Sequence, residues 1–311
     1  MIEVVYNLYL IINKKAVTNL GYILYEIDGT EEEKFDFLKE AASRDYKKSK
    51  LTKAPAGLTI EKCNAMARLG TQLKLFKHVF EKHRPEHPLA IITCVVDGEI
   101  KINYETSSHT PLDMDDVQEK TGAAGKMEDW LVKYTVGNTF DFTGLINDDF
   151  LLAYKLLFKH KHYASATKLF MSCIDSLAHV EFGYEKSRDE RPVFSRWLDT
   201  YVDLTPIGIT SDELWELRNG LLHMSNLHSS KVERKITRRI SISIGHVPSG
   251  LQSEEDDTQY FDLHSFYLAV CQGISKWLKT YAESFEKFEV FVERWDKTVS
   301  DSRLALHYID K

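Results

Sequence analysis

The sequence predicts an α+β chain of two domains: an N-terminal α+β domain followed by a C-terminal α-helical bundle with a short β insertion. Three observations predict it. A length of 311 residues corresponds to about two domains at roughly 150 residues each. The first hundred residues alternate between Val/Ile/Tyr-rich runs and helix starts, whereas from Asn147 onward apolar residues recur at helical spacing with one strand-like interruption. Hydrophobic residues make up 43% and charged residues 28%, with 15 Gly and 7 Pro, which supplies a core and excludes a disordered or collagen-like chain.

In the first domain, residues 2–12 and 17–27 read as strands, the second closed by the turn pair Asp28-Gly29. Thr30 with Glu33 three residues later is a capping box, and it opens a helix carrying Phe35, Phe37 and Leu38. A second helix is expected over 59–82. Two β-rich runs, 89–96 and 100–104, flank Asp97-Gly98 and predict a hairpin on a two-residue turn. Residues 1–110 carry no catalytic motif and read as a module that senses a trigger or meets a regulatory protein. From Glu105 to Asp141 the pattern weakens into Ser, Thr, Asp and Gly, so 111–145 reads as a linker with one short helix near Trp130.

Residues 146–311 read as the helical domain. Helices are expected over 150–160, 163–182, 192–202 and 211–227. Over 235–244, Ile236, Ile240, Ile242 and Ile244 interleave with polar residues and predict a strand. One long closing helix is expected from Asp262, with Tyr267, Val270, Ile274, Trp277, Tyr281, Phe288, Phe291 and Trp295 as its buried stripe. The acidic stretch 252–257 reads as a solvated loop.

A net charge of −7 excludes a basic coat for nucleic acid, so any RNA contact must be local. Cys63, Cys94, Cys173 and Cys271 lie far apart without a CxxC pair and read as buried reduced thiols, which suits a cytoplasmic protein. The N-terminus lacks the basic start and cleavage site of a signal peptide, and no apolar run approaches the ~20 residues of a membrane span. His83-Arg84-Pro85-Glu86-His87 has the HxxEH form of a zinc site, but Pro85 breaks the helix that would bring both imidazoles together. Lys159-His160-Lys161-His162 has no acid or Cys beside it and reads as a solvated helix end. No metal and no cofactor are expected.

The informative segment follows Thr210-Ser211-Asp212-Glu213, a helix start with a cap and acids in the first turn. Leu214, Leu217, Leu221 and Met224 form the stripe that faces the bundle. On an α-helical wheel with Arg218 at zero, Asn219 lies near about 100° and His223 near about 140°. Trp215 and Leu222 share the same arc, which makes a two-fold partner surface plausible for a homodimer.

Arg218-Asn219-Gly220-Leu221-Leu222-His223 resembles the Arg, four to six residues, His motif of the HEPN superfamily, with the polar Asn directly after the Arg. The surroundings are similar as well: a late helix in a helical domain, and an upstream helix containing Cys173-Ile174-Asp175-Ser176. The resemblance covers residues 148–298. It implies a metal-independent endoribonuclease working as a homodimer, of the toxin-like or anti-phage, abortive-infection kind. His223 is then the general acid–base, and Arg218 stabilises the phosphorane. Asn219 orients the His or the phosphate, and Asp175 pairs with Arg218. In-line attack by the ribose 2′-OH would leave a 2′,3′-cyclic phosphate. Where some members carry a modifiable Tyr two residues after the His, this chain has Ser225, so adenylylation there is not expected.

Lys231, Arg234, Lys235, Arg238 and Arg239, opposed in sequence only by Glu233, are expected to hold RNA phosphates beside the motif. The same residues would also suit an edge strand protected by charge. The alternative function is a non-catalytic module of this type whose Arg218/His223 face binds a nucleotide or a protein partner.

Overall fold

The computed structural model describes residues 2–81, 87–106, 129–184, 191–224, 229–245 and 258–298. The chain is mixed α/β and divides into two compact units, Met1–Ala124 and Gly125–Lys311. Residues 83–86 of the HxxEH stretch, the acidic loop 252–257, Ser225 and the segment 107–128 lie outside the described residues.

In the first unit a five-stranded sheet is built from β1 (Glu3–Asn13), β2 (Ala16–Ile27), β3 (Lys50–Lys53), β4 (Leu89–Val96) and β5 (Glu99–Thr106). Its order is β3-β2-β1-β4-β5. Only the β1/β4 pairing is parallel. As the central strand, β1 is buried on both faces, which is why from Val4 to Ile12 it reads as apolar and tyrosine residues broken only by Asn7. Side-chain alternation splits its residues between two helical layers. Val5 and Ile91 pack on Leu38 of α1 (Glu31–Asp45). Tyr6, Leu8 and Leu10 pack on Cys63, Phe76 and Val79. Asn7 and Tyr9 reach the α1 side and donate to the carbonyls of Leu38 (3.1 Å) and Ala42 (3.2 Å).

Both hairpins turn on two residues with positive φ, Lys14-Lys15 and Asp97-Gly98, the geometry that matches strand twist. The Thr30/Glu33 capping box forms as expected. The single helix expected over 59–82 is instead α2 (Ile60–Arg68), a reversal at Gly70 with φ 66°, a 3₁₀ stretch Gln72–Phe76 and α3 (Lys77–Phe80). A left-handed glycine ends the α-helix there. Burial pushes the Cys63 thiol up to about 12, whereas Cys94 and Cys271 are only half-buried.

The second unit is mostly helical. It begins with α4 (Trp130–Lys133), a two-strand hairpin β6 (Thr135–Val136) and β7 (Thr139–Phe140), and α5 (Phe142–Ile146). The linker expected over 111–145 is therefore corrected for 129–145. Trp130 is 2% exposed, packs edge-on to Phe140 and Phe291, and donates from Nε1 to Asp296 (2.9 Å). There follow α6 (Leu152–Lys159), α7 (Tyr163–Phe182), α8 (Val193–Tyr201), α9 (Ser211–Asn219), a π-helical turn Gly220–Met224 and α10 (Ser230–Glu233). The chain then runs through β8 (Arg239–Ser243), β9 (Thr258–Asp262), α11 (Leu263–Ala282) and α12 (Phe285–Trp295).

Two further expectations change. Instead of one closing helix there are two, because Ser284 takes an extended conformation and caps Lys287 N–H. The interrupting strand covers only 239–243 and pairs in parallel with β9. Of its isoleucines only Ile240 is fully buried, while Ile236 and Ile244 are exposed.

Four helices meet at the Glu181 carboxylate on α7. It accepts from Tyr201 (2.8 Å), Trp277 Nε1 (2.8 Å), Tyr281 (3.1 Å) and Lys287 (2.9 Å). Burial works to raise its titration, but the hydrogen bonds from Lys287, Trp277 and Tyr201 outweigh burial and hold it below the ordinary carboxylate range. Among the described residues no helix is long and apolar enough to cross a membrane.

Candidate active site

α9 starts where the sequence says it should. Thr210 Oγ1 accepts from Glu213 N–H (3.3 Å), and the Glu213 carboxylate accepts from Thr210 N–H (2.8 Å). Its apolar stripe holds Leu214, Leu217 and, just beyond the helix, Leu221 in the core.

The α-helix stops at Asn219, and the five residues Gly220–Met224 form a π turn. This overturns the 140° separation expected between Arg218 and His223. A π turn bonds i to i+5 and so stacks residues five apart, whereas an α-helix turns them away from each other. Arg218 Nη1 lies 3.2 Å from His223 Nε2. Because a guanidinium only donates, Nε2 acts as acceptor and the imidazole proton is assigned to Nδ1.

Arg218 is held from several sides. Nη2 donates to Asp175 Oδ2 on α7, and Nη1 also donates to Asn219 Oδ1 (3.0 Å). The guanidinium lies over the Trp215 ring, 5.1 Å from its centroid, one turn back on the same helix. Its Nε is buried with no hydrogen-bond partner. The Arg218 and Asp175 side chains are 15% and 22% exposed, whereas His223 is open to solvent. Asp175 thus meets Arg218 as the sequence led us to expect. Asn219 orients the guanidinium instead of the imidazole. Trp215 was read only as an apolar group on the motif face. It also packs against Phe194 with centroids 5.8 Å apart, so part of that face is used inside the unit. Its i, i+3 spacing from Arg218 is the signal that marks it as a cation platform.

The basic cluster is arranged differently from expectation. Lys231 pairs with Glu216 (3.1 Å), and Arg238 pairs with Glu213 (2.8 Å) and donates to the Gly208 carbonyl (2.8 Å). Both carboxylates belong to α9, so Glu233 is not the only acid opposing the cluster. On the helical wheel Glu213 and Glu216 lie about 140–160° from Arg218, on the far side of α9. Arg234 and Lys235 are exposed, and Arg239 is half-buried at the start of β8.

What the arrangement offers is a fixed, partly desolvated cation next to a solvent-open imidazole. A phosphate oxygen arriving at Nη1 would take over the donor now aimed at Nε2 and free that nitrogen to accept a proton. Among the described residues no group of three His, Cys, Asp or Glu side chains is placed to hold a metal ion. No protein-family model, curated protein or solved structure matches this chain, so its chemistry has to be read from this geometry.

Proposed function

We propose that this protein is a metal-independent endoribonuclease of HEPN type, with His223 as general acid–base and Arg218 as the group that stabilises the phosphorane. The observation that carries the reading is the π turn, which sets His223 Nε2 3.2 Å from an arginine clamped by Asp175, Asn219 and Trp215. Turns of this kind interrupt helices frequently at functional sites. A fixed guanidinium costs no reorganisation as charge grows on the phosphorane oxygens.

In the proposed reaction the ribose 2′-oxygen attacks phosphorus as its proton passes to His223 Nε2. The P–O5′ bond breaks, and the leaving oxygen takes a proton to give a 2′,3′-cyclic phosphate and a 5′-hydroxyl. A homodimer through the motif helices would bring a second imidazole for that last proton transfer. By the same resemblance the protein is a toxin-like or anti-phage effector; the first unit, which carries no catalytic motif, senses a trigger or a regulatory protein, and the cysteines without a CxxC pair suit a cytoplasmic setting.

A second reading, a non-catalytic module that binds a nucleotide or a protein partner through this face, has one observation in its favour. Arg218 already engages three side chains and a ring, a satisfied arrangement that a protein partner could meet without a phosphate displacing any of them. The two readings separate on RNA incubated in EDTA, which a non-catalytic module leaves intact, and the enzyme's mechanism is then tested with a single 2′-deoxy substitution at the main cleavage position. The enzyme reading expects cleavage there to stop and neighbouring positions to be unaffected. If a 2′-deoxy position is cut as fast as a ribose one, the 2′-OH is not the nucleophile and this mechanism is wrong.

A further inference from the structure

A cleft of about 550 Å³ opens between the C-terminal turns of α7 and the end of α12, and Asp175 is one of its lining residues. The same carboxylate receives Arg218. The cleft therefore begins where the Arg218/His223 site ends. Single-ligand pockets run from about 300 to 1,000 Å³, so one nucleotide fits.

Its walls are built, not incidental. α7 ends at Gly183 with φ 76°, and this residue donates to the His179 carbonyl (2.8 Å). A Cβ at Gly183 would stand 3.3 Å from the Arg294 guanidinium, which is fixed by donating to the carbonyls of Val180 and Glu181. The turn brings Tyr184 back over His179, with centroids 4.9 Å apart and planes at 86°. Tyr184 remains 73% exposed, an aromatic face left open at the cleft mouth. Across from it Glu293 and Lys297 stand 3.6 Å apart, one turn from each other. An open aromatic ring, a carboxylate that accepts N–H donors and an ammonium beside it are the groups that recognise the face, edge and phosphate of an unpaired nucleotide.

We propose that this cleft holds the nucleotide adjoining the scissile phosphate of single-stranded RNA, its base stacked on Tyr184 and its flanking phosphate on Lys297. The inference rests on the ribonuclease reading for the word scissile, and it names the substrate as unpaired RNA. Tyr184 and Lys297 are positioning residues here and do not touch the reacting atoms.

The test is fluorescence anisotropy of the full chain, in EDTA, with a labelled eight-nucleotide oligomer methylated at every 2′-oxygen, which binds without being cleaved. Tyr184→Ala should weaken binding about tenfold or more, and Tyr184→Phe should stay within about twofold of wild type, because stacking needs the ring and not the hydroxyl. Lys297→Ala should weaken binding and reduce the salt slope by about one. Unchanged binding in both Tyr184→Ala and Lys297→Ala would overturn the assignment. So would free GMP or AMP displacing the oligomer at the oligomer's own affinity, which would make the cleft a mononucleotide site. Cleavage of an unmodified RNA, read in parallel, separates the two proposals. Binding lost in Tyr184→Ala with no cleavage by wild type would retire the nuclease and keep the cleft as an RNA site. Cleavage lost only in His223→Ala, with KM and binding unchanged in Tyr184→Ala, would do the reverse.

Discussion

Arg218 is the side chain on which the site turns, and its partners show how far single residues can be read from sequence. An arginine set against a helical bundle needs a carboxylate nearby, and the family resemblance pointed to Asp175 on an upstream helix, so that pair was legible; the structure has it with Arg218 15% exposed. That Asn219 accepts from Arg218 was not legible, because a wheel gives direction and not hydrogen-bond partner. The ion pairs of Lys231 and Arg238 with Glu216 and Glu213 were not legible, since they cross from one element to another. Asp175→Asn should lower unfolding stability by about 1–3 kcal/mol, the cost of weakening a charged hydrogen bond in a partly buried setting. It should also slow RNA cleavage, since the guanidinium loses its anchor. Urea titration and a cleavage assay of the same preparation check both. Wild-type stability with wild-type cleavage would show that the clamp is unimportant.

Among the elements, those specified by adjacent residues were read correctly and those decided at a distance were not. The Asp97-Gly98 hairpin, the capping box at Thr30 and the helix start at 210–213 are local chemistry and formed as expected, the cap of the last falling on Thr210. β3 and β9 were missed: four- and five-residue strands carry too short an alternation, and their pairing comes from the neighbouring strand. The break at Ser284 has neither Gly nor Pro to announce it. The π turn was invisible to a 3.6-residue wheel. It supplies a sharp prediction, because a π turn is an α-helix with one residue too many. Deleting Leu222 should give an α-helix with Arg218 and His223 four residues apart, still on one face at about 40°, and should keep cleavage. Inserting one Ala after Leu222 should instead set them six residues apart, about 120° round the helix, and abolish cleavage while far-ultraviolet circular dichroism and the unfolding transition stay near wild type. Cleavage surviving the insertion would contradict the role given to the turn.

The Glu181 junction gives the element-scale pH dependence. Its folded titration is depressed, so its contribution to stability is full above the ordinary carboxylate value of about 4.3 and is lost as pH falls through the lower folded value. Glu181→Gln should cost about 1–3 kcal/mol at pH 7. The gap between variant and wild type should narrow below about pH 4. A gap that widened in acid would reverse the assigned direction.

For the molecule as a whole, each of the two units has its own core. The first is a sheet covered by helices on both faces, and the second closes on aromatic residues such as Trp130, Trp277, Phe291 and Trp295. The mixed α/β character and the helical second half were legible because periodicity survives over long stretches. Where the second unit begins was not, since residues 129–145 look like loop until Trp130 is seen buried. With a net charge of −7 and two of the five clustered cations paired to α9, the RNA binding proposed here would depend on a few local groups. The central claim is that this chain cuts RNA without a metal through His223 and Arg218. The most direct measurement is cleavage of RNA in excess EDTA by wild type, His223→Ala and Arg218→Ala, with product ends identified by mass spectrometry. The account predicts 2′,3′-cyclic phosphate and 5′-hydroxyl ends from wild type and losses of about 10²–10⁴-fold in His223→Ala and 10²–10³-fold in Arg218→Ala. Equal cleavage by all three proteins, or 5′-phosphate ends from wild type, would contradict it.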